Sequence, residues 1–219
     1  AVVLLLENSG GSGDFLYLGV VALDGEDAVN AATIAVGDRP QVRAFDLEGS
    51  WIRLDVVEQG PEDPACCPSR LAARFWRLDD DGLVEVATNV RGTLSLAELA
   101  GGVWTLASLG PDEPLPEDVE ITIAFEDGKV TGRSGCNSYF AGIEETSPGR
   151  VELGPAGATR KACPPPLMDV EQRYLTRLGG VTRYQFLLGK LALAWRIERE
   201  SGMLLYERSP GPEVTDKSP

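Results

Sequence analysis

Histidine is absent from this chain of 219 residues, and its absence excludes several kinds of active site. Without an imidazole there is no Ser–His–Asp triad, no Cys–His pair, no histidine general base and no histidine ligand for a metal ion. Carboxylates or lysines acting alone remain compatible with the composition. We therefore predict a protein that is not an enzyme and that uses no cofactor and no metal.

Basic side chains are scarce: 20 Lys and Arg stand against 34 Asp and Glu, which gives a net charge of −14. A chain of this charge repels phosphate backbones, so we predict no nucleic-acid partner. Long apolar runs are lacking as well. The longest are VVLLL near the start and FLYLGVVAL at 15–23, far below the ~20 residues that a membrane-spanning helix needs. We predict no transmembrane segment in this chain.

What the sequence does contain is a series of short apolar segments separated by clusters of Gly, Asp and Pro. This pattern is typical of antiparallel β structure. The first set comprises FLYLGVVAL, AATIAV, QVRAF, WIRLDVV and RLAARFWRL; the second comprises VWTLASL, VEITIAF, KVTGRS, YFAGIE, RYQFLL, KLALAWRI and MLLYE. We predict a mainly β (α+β) fold of two antiparallel β-rich modules, 1–100 and 101–208, followed by a flexible tail at 209–219.

Local patterns in the second set predict particular elements. In VEITIAF, apolar and polar or small residues alternate as in a half-buried strand, and Glu126-Asp127-Gly128 then favours a hairpin turn. After three prolines, apolar residues recur on one helical face. They are Leu167, Val170, Tyr174, Leu175 and Leu178. Gly179-Gly180 ends this pattern, so we predict one amphipathic helix packed on the sheet, and a weaker helical segment at 94–99.

The second module resembles the META/HslJ domain, a family of bacterial envelope proteins, from Trp104 to about Tyr206. The residues that carry the likeness are Trp104-Thr-Leu, Ile121-Thr-Ile-Ala-Phe, Asp127-Gly128, Gly132, Gly135-Cys136-Asn137, Tyr139, Thr159, Ala162-Cys163-Pro164, Met168, Glu171 and Leu191-Ala-Leu. The resemblance implies a β-barrel-like sheet with a packed helix, export or a lipid anchor, and no established enzymatic activity. Relatives are associated with stress or antibiotic tolerance at the envelope.

The first module resembles the LppP/LprE group of bacterial lipoproteins. The likeness rests on Gly11-Ser12-Gly13 with Phe15-Leu-Tyr-Leu, on Val36-Gly37-Asp38-Arg39, and above all on the segment Gly60–Ser69 with its Asp-Pro-Ala-Cys-Cys-Pro core. This group has no assigned activity, so the resemblance implies a compartment and little else. Relatives often carry an Asp-rich segment before the run that matches 1–7, and we expect the module to be truncated at its N-terminus.

The four cysteines fall into one pair in each module. An even number grouped in this way favours disulfides. A bond between Cys136 and Cys163 would stabilise the fold by about 3.5 kcal/mol in the chain-entropy model. Cys66 and Cys67 are adjacent between Pro64 and Pro68, which favours a vicinal disulfide in a rigid turn. Pairing with another cysteine or chain, and thiol redox or metal chemistry, remain open alternatives for these two.

Four further residues form a candidate binding or structural motif: Asn137, Tyr139, Thr159 and Glu171. The polar and aromatic residues after Cys136 could line a small pocket. The simpler interpretation is that Asn137 satisfies backbone groups at a bend and that Tyr139 packs with its hydroxyl directed outward. We expect the simpler interpretation to hold.

The sequence thus predicts a non-catalytic secreted or periplasmic protein of the cell envelope, with a role in stress or antibiotic tolerance through binding. No signal peptide precedes Ala1, so we expect a mature chain, with a lipid anchor upstream as part of the hypothesis. The partner would be an unidentified protein or small molecule at the envelope. The alternatives are a protein–protein inhibitor or chaperone-like factor, for which the Gly60–Ser69 loop is the first candidate surface, and a thiol redox or metal-binding protein that uses Cys66 and Cys67.

Overall fold

The computed structural model describes residues 1–8, 10, 13–80, 82–110 and 113–209. Their contacts divide the chain into two compact units. The first comprises Ala1–Leu94 together with Phe186–Gly189, and the second comprises Ser95–Gln185 together with the described residues from Lys190 onward. Apart from Ser209, the predicted flexible tail lies outside the described residues.

The first unit contains two antiparallel sheets. One consists of β1 (Val2–Glu7), β2 (Phe15–Asp24) and β3 (Asp27–Asp38). The other consists of β4 (Gln41–Glu48), β5 (Trp51–Glu58), β6 (Arg70–Asp79) and β7 (Gly82–Thr93). In each sheet, strands that follow one another along the chain are neighbours, which is the arrangement that short connections between antiparallel strands produce.

One apolar cluster, drawn from both sheets, forms the core of the first unit. Its members include Leu16, Leu18, Val20, Ile52, Leu54, Val56 and Trp76. Alternate residues of a strand share a face, so the leucines of β2 and the branched residues of β5 each form one continuous apolar surface. Burial of each such side chain contributes about 1.5–3 kcal/mol. The period-two pattern in the sequence is therefore the direct cause of this core.

The described part of the second unit contains ten strands. They are β8 (Val103–Gly110), β9 (Glu113–Pro114), β10 (Thr122–Glu126), β11 (Lys129–Arg133), β12 (Ser138–Ser147), β13 (Arg150–Leu153), β14 (Gly157–Ala158), β15 (Val181–Leu187), β16 (Lys190–Ile197) and β17 (Glu200–Arg208). Eight of them form a closed antiparallel barrel in the order β8–β10–β11–β12–β13–β15–β16–β17, and β17 pairs with β8 again. The short β9 and β14 pair with β8 and β12. The predicted mainly β fold with a barrel-like second module is confirmed.

Two features of the sequence bring β10 and β11 together. Asp127 and Gly128 form the turn between them with φ values of +48° and +70°, the left-handed conformation that a two-residue hairpin loop requires. Gly132 lies opposite Tyr139 on β12, and a Cβ atom at this position would collide with the carbonyl oxygen of Thr122. Only glycine permits this close approach of the backbones.

The predicted amphipathic helix is also present, as α1 (Pro165–Gly179). Prolines occupy its first turn, where their missing N–H groups would have no helical acceptor. Val170, Tyr174 and Leu178 are its buried residues, and they follow the i, i+4 spacing of one helical face. The weaker pattern at 94–99 corresponds to a 3-10 helix at Leu96–Leu99. Among the described residues, no helix is both long enough and apolar enough to cross a membrane.

Candidate functional site

The polar motif predicted from the sequence lies where three segments of the second unit meet. These are the turn between β11 and β12 at 134–137, the segment that follows β14 at 159–163, and the first turns of α1. Gly135 adopts φ +97° in the turn, which lets the chain reverse and direct Asn137 inward, where only 6% of its surface is exposed. The structure thus brings Asn137, Tyr139, Thr159 and Glu171 into one neighbourhood.

The carboxylate of Glu171 is the centre of this arrangement. Its Oε2 accepts hydrogen bonds from the Ser134 hydroxyl at 2.5 Å and from the backbone N–H of Asn137 at 2.8 Å. Its Oε1 accepts one from Nδ2 of Asn137 at 2.8 Å. Hydrogen bonds to a charged acceptor are stronger than those between neutral groups. Glu171 therefore fastens the helix to the turn between β11 and β12.

These hydrogen bonds control the pKa of Glu171. Burial by itself would raise the pKa, but donation from Ser134, from the side chain and backbone of Asn137, and from the backbone of Cys136 outweighs burial and lowers the pKa below its ordinary value. The carboxyl group is therefore ionised at neutral pH, and both of its oxygens accept hydrogen bonds. It is poorly suited to act as a general acid or base, because its lowered pKa leaves it without a proton to donate and makes it a weak proton acceptor.

The side chain of Asn137 extends the network to the third segment. Its Oδ1 accepts hydrogen bonds from the Thr159 hydroxyl and from the backbone N–H of Lys161, both at 2.7 Å, while its Nδ2 donates to the carbonyl of Lys161 at 3.4 Å. The amide thus satisfies backbone groups at a bend, as we expected. The Thr159 hydroxyl in turn accepts from the backbone N–H of Ser138 at 3.3 Å.

Tyr139 corrects our expectation, because its hydroxyl points into the barrel. The hydroxyl donates to the carbonyl of Thr122 at 2.9 Å and lies 2.6 Å from the hydroxyl of Tyr174, which itself lies 3.1 Å from that of Tyr206. Since Tyr139 already donates to Thr122, Tyr174 donates to Tyr139 and Tyr206 donates to Tyr174. The expectation was wrong because barrel closure encloses this face of β12, and enclosed hydroxyls need partners.

We expect these tyrosines to resist ionisation until the protein unfolds. Burial raises the pKa values of Tyr139, Tyr174 and Tyr206 well above 10, and burial followed by its hydrogen bond to Glu145 does the same for Tyr184. A folded-state pKa above the unfolded value adds stability that is complete below pH ~10 and is lost as the pH rises further. The phenolate absorbance of these four, out of five tyrosines in the chain, should therefore appear together with the loss of the β-sheet circular dichroism signal. Ionisation of these four phenols near pH ~10 in a folded barrel would contradict the prediction.

A disulfide joins Cys136 to Cys163 beside this network, with 6.1 Å between the Cα atoms. Cys136 belongs to the turn between β11 and β12, and Cys163 immediately precedes the helix entry at Pro164. The disulfide, Glu171 and Asn137 therefore connect the same three segments. The turn between β11 and β12 is therefore linked both to the helix and to the segment that follows β14.

The loop Gly60–Ser69 of the first unit has a separate polar centre at Asp63. Its Oδ2 accepts from the backbone N–H groups of Gly60 at 2.7 Å and Ser69 at 2.6 Å, and its Oδ1 accepts from the Ser69 hydroxyl at 2.7 Å. Burial alone would raise the pKa of Asp63, but these bonds and the charge of Arg70 lower it. Cys66 and Cys67 form a vicinal disulfide within this loop, with 3.7 Å between their Cα atoms.

We expect Asp63, rather than the vicinal disulfide, to hold this loop in place. Replacement of Asp63 by alanine leaves Ser69 and Gly60 without their acceptor and should lower the free energy of unfolding by about 1–3 kcal/mol. Replacement of Cys66 and Cys67 by serine should lower it by less than about 1 kcal/mol, because a bond between adjacent residues closes almost no loop. Urea unfolding monitored by tryptophan fluorescence would measure both, with Glu62→Ala as the control for loss of a neighbouring carboxylate. A larger loss in the cysteine variant would reverse this assignment.

Sequence reasoning missed several members of these networks. Ser134, Tyr174, Tyr206 and Lys161 complete the cluster around Glu171 and Tyr139, and Asp63 organises the cysteine loop. Tyr174 was assigned to the apolar face of the helix, but no sequence pattern showed that its hydroxyl meets two others. Within the described residues, no three acidic or cysteine side chains lie close enough together to hold a metal ion.

The second unit is a small β-barrel domain with a closed antiparallel barrel and one packed helix. A disulfide joins the turn between β11 and β12 to the residue before Pro164, which is the N-cap of the helix. The family described as the META domain matches residues 97–208 of this chain. The chain therefore belongs to the META-domain family. Comparison with curated proteins and with solved structures gave no significant match.

Proposed function

We propose that this protein is a non-catalytic binding protein of the cell envelope, secreted or periplasmic, that contributes to stress or antibiotic tolerance. The observation that carries the proposal is the engagement of Glu171. Both oxygens of its carboxylate accept hydrogen bonds from Ser134 and Asn137, so the most distinctive polar group of the barrel serves the fold. This engagement supports a structural role for the site, in which it preserves a surface for binding.

The state of the cysteines supports the envelope location. All four are paired within the chain, and disulfides persist in oxidising compartments and are rare in the cytosol. We further propose that the first unit is related to the LppP/LprE lipoproteins and that a lipid anchor lies upstream. The support for this likeness is that Asp63, the two cysteines and their flanking prolines all belong to one hydrogen-bonded loop.

The location and the role can be tested together in the source organism. A strain that lacks the gene should lose tolerance to heat or to cell-wall antibiotics. Re-expression of the exported protein should restore tolerance, and the same chain without an export signal is the matched control. Thiol labelling of cell fractions should find the native protein in the envelope or medium with no free cysteine. A protein in the cytosol with four free thiols, or full rescue by the control, would refute the proposal.

One observation favours a second candidate, a protein–protein inhibitor or chaperone-like factor. Strand β7 pairs with β6 alone among the described strands, and its side chains Val84, Val86 and Val90 are 43%, 41% and 58% exposed. An exposed strand edge with apolar side chains can accept a strand from another protein. A photo-crosslinker at position 86 should then yield one adduct in intact cells, and one at position 144, which is exposed on β12, should yield none. Equal labelling from both positions would remove this candidate.

A further inference from the structure

A hollow of about 370 Å³ opens on the surface of the second unit beside the polar network. Its lining residues are Arg133, Cys136, Asn137, Ser138, Thr159 and Lys161. They come from the end of β11, the turn that follows it, the first residue of β12, and the segment after β14. The network described above therefore forms one wall of this hollow, and none of its residues lies in the first unit.

The backbone geometry directs two cationic side chains to this hollow. Arg133 and Ser138 are directly opposed in the β11–β12 pair, so their side chains leave the same face of the sheet. That face is the outer one, because the next residue, Tyr139, points into the barrel. Lys161 enters from the other side, with its backbone N–H and carbonyl both bound by the amide of Asn137.

Among the residues that the structure describes, no carboxylate forms an ion pair with Arg133 or Lys161, and no group accepts a hydrogen bond from the Ser138 hydroxyl. A groove of about 420 Å³ beside the helix gives the contrast. Its arginines, Arg173 and Arg177, both form ion pairs with Glu113.

The free charges at this hollow are unusual in a chain with 34 acidic and 20 basic residues. Arg160 adds a third exposed positive charge next to Lys161. Glu171 lies beneath Asn137, but its carboxylate is engaged by the donors already described. A pair of cationic side chains lining one cavity concentrates positive potential on a protein whose net charge is −14.

We propose that this hollow is a binding site for a phosphate group. Two full positive charges match the charge of about −1.5 to −2 that a phosphate monoester or inorganic phosphate carries at neutral pH. The planar guanidinium of Arg133 can bind two phosphate oxygens, Lys161 supplies a compact charge, and the Ser138 hydroxyl is available as a further donor. The hydrogen bonds of Asn137 and the Cys136–Cys163 disulfide fix the backbone from which these donors extend.

The proposal goes beyond the envelope role and does not depend on it. The phosphate could belong to a free ion or soluble phosphorylated compound, or to the headgroup of an anionic phospholipid. The same donors would bind either one, and the net charge of −14 opposes approach to an anionic bilayer. The two sources are distinguished by two titrations, one with inorganic phosphate and one with vesicles of phosphatidylglycerol, each against a background of constant ionic strength in chloride.

The test is an NMR titration of the full chain, with amide chemical shifts followed residue by residue. Inorganic phosphate should produce saturable shifts confined to 133–138 and 159–163. The variants Arg133→Gln and Lys161→Gln should each weaken binding by about tenfold or more, the usual effect of losing a charged hydrogen bond. Lys129→Gln is the matched control, because it removes an exposed base from the same strand and should change the affinity by less than about twofold.

Each outcome of the two titrations either supports or overturns the proposed phosphate site. Saturable phosphate binding that both variants weaken supports the site and assigns it to a soluble phosphate. Binding to phosphatidylglycerol vesicles alone, weakened by the same variants, supports the site and assigns it to a lipid headgroup. The proposal is overturned if neither titration saturates at tens of millimolar phosphate, or if Lys129→Gln weakens binding as much as the other two. Because both residues are exposed, we expect unchanged thermal melting, and a loss of affinity without a change in melting is a binding effect.

Discussion

Replacement of Glu171 by alanine is expected to lower the free energy of unfolding by about 3–6 kcal/mol, because the donors from Ser134, Cys136 and Asn137 lose their acceptor at once. The backbone and side-chain N–H groups of Asn137 would remain buried with no carboxylate to bind them, and the Ser134 hydroxyl would keep only the carbonyl of Asn137 as an acceptor. Glu171→Gln keeps the volume but places an amide N–H₂ against donors, and should lower it by about 1–3 kcal/mol. Urea unfolding at neutral pH would measure both changes.

The matched control for this experiment is Asp169→Asn on the same helix. Asp169 is exposed, so removal of its charge should change the free energy of unfolding by less than about 0.5 kcal/mol. If Asp169→Asn lowers the free energy of unfolding as much as Glu171→Gln does, the loss of stability comes from the removal of a negative charge near the start of the helix. The hydrogen bonds of Glu171 would then not explain it.

We also expect the carboxylate of Glu171 to make the stability of the fold depend on pH. Because the folded-state pKa of Glu171 lies below its unfolded value, its contribution is complete at pH values above the unfolded pKa and is lost as the pH falls through the folded pKa. The wild-type protein should therefore lose more stability between neutral and acidic pH than Glu171→Gln does. Parallel pH profiles for the two proteins would contradict this assignment.

Removal of the Cys136–Cys163 disulfide is the second large expected effect. The bond spans 27 positions of sequence, and its loss should lower the free energy of unfolding by about 3.5 kcal/mol through the added freedom of the unfolded chain. The double variant Cys136→Ser/Cys163→Ser should show this loss without reductant. The double variant of Cys66 and Cys67 is the control and should lose less than about 1 kcal/mol.

A reductant should lower the free energy of unfolding of the wild-type protein by a similar amount, because it breaks the same disulfide. If the Cys136 and Cys163 variant loses no more than the control, the three segments around Glu171 are held by hydrogen bonds alone. The disulfide would then be redundant in the folded protein, and the entropic argument would fail for this loop.

The sequence predicts the individual strands and the helix of this protein better than it predicts which strands pair. The hairpin at Asp127-Gly128, the strand at β10 and the face of α1 are local features, set by turn chemistry and by periods of two and 3.6 residues. They can be recognised in a short window of sequence. The pairing of β13 with β15 and of β8 with β17 joins distant segments, and no local pattern specifies it.

The candidate site shows the same limit. Asn137, Tyr139, Thr159 and Glu171 were grouped as a candidate binding or structural motif, and no sequence pattern gave their geometry. The direction of the Tyr139 hydroxyl depends on which face of β12 the barrel encloses. Its partner Tyr174 lies 35 positions away in sequence, and Tyr206, which donates to Tyr174, lies a further 32 positions away. The role of Asp63 could not be predicted from the sequence either, because it depends on a loop conformation that brings Ser69 within hydrogen-bond distance of the carboxylate.

The closure of the barrel has a consequence for how the chain folds. Strand β8 begins at Val103, and the strand that completes the ring beside it, β17, ends at Arg208, so the barrel cannot close on the ribosome until nearly all of the second unit has been synthesised. Contacts between such distant segments are formed late and slowly, because a long loop must be ordered before they add stability. A nascent chain therefore carries open strand edges for most of its synthesis, and a truncation before β17 would leave them open permanently.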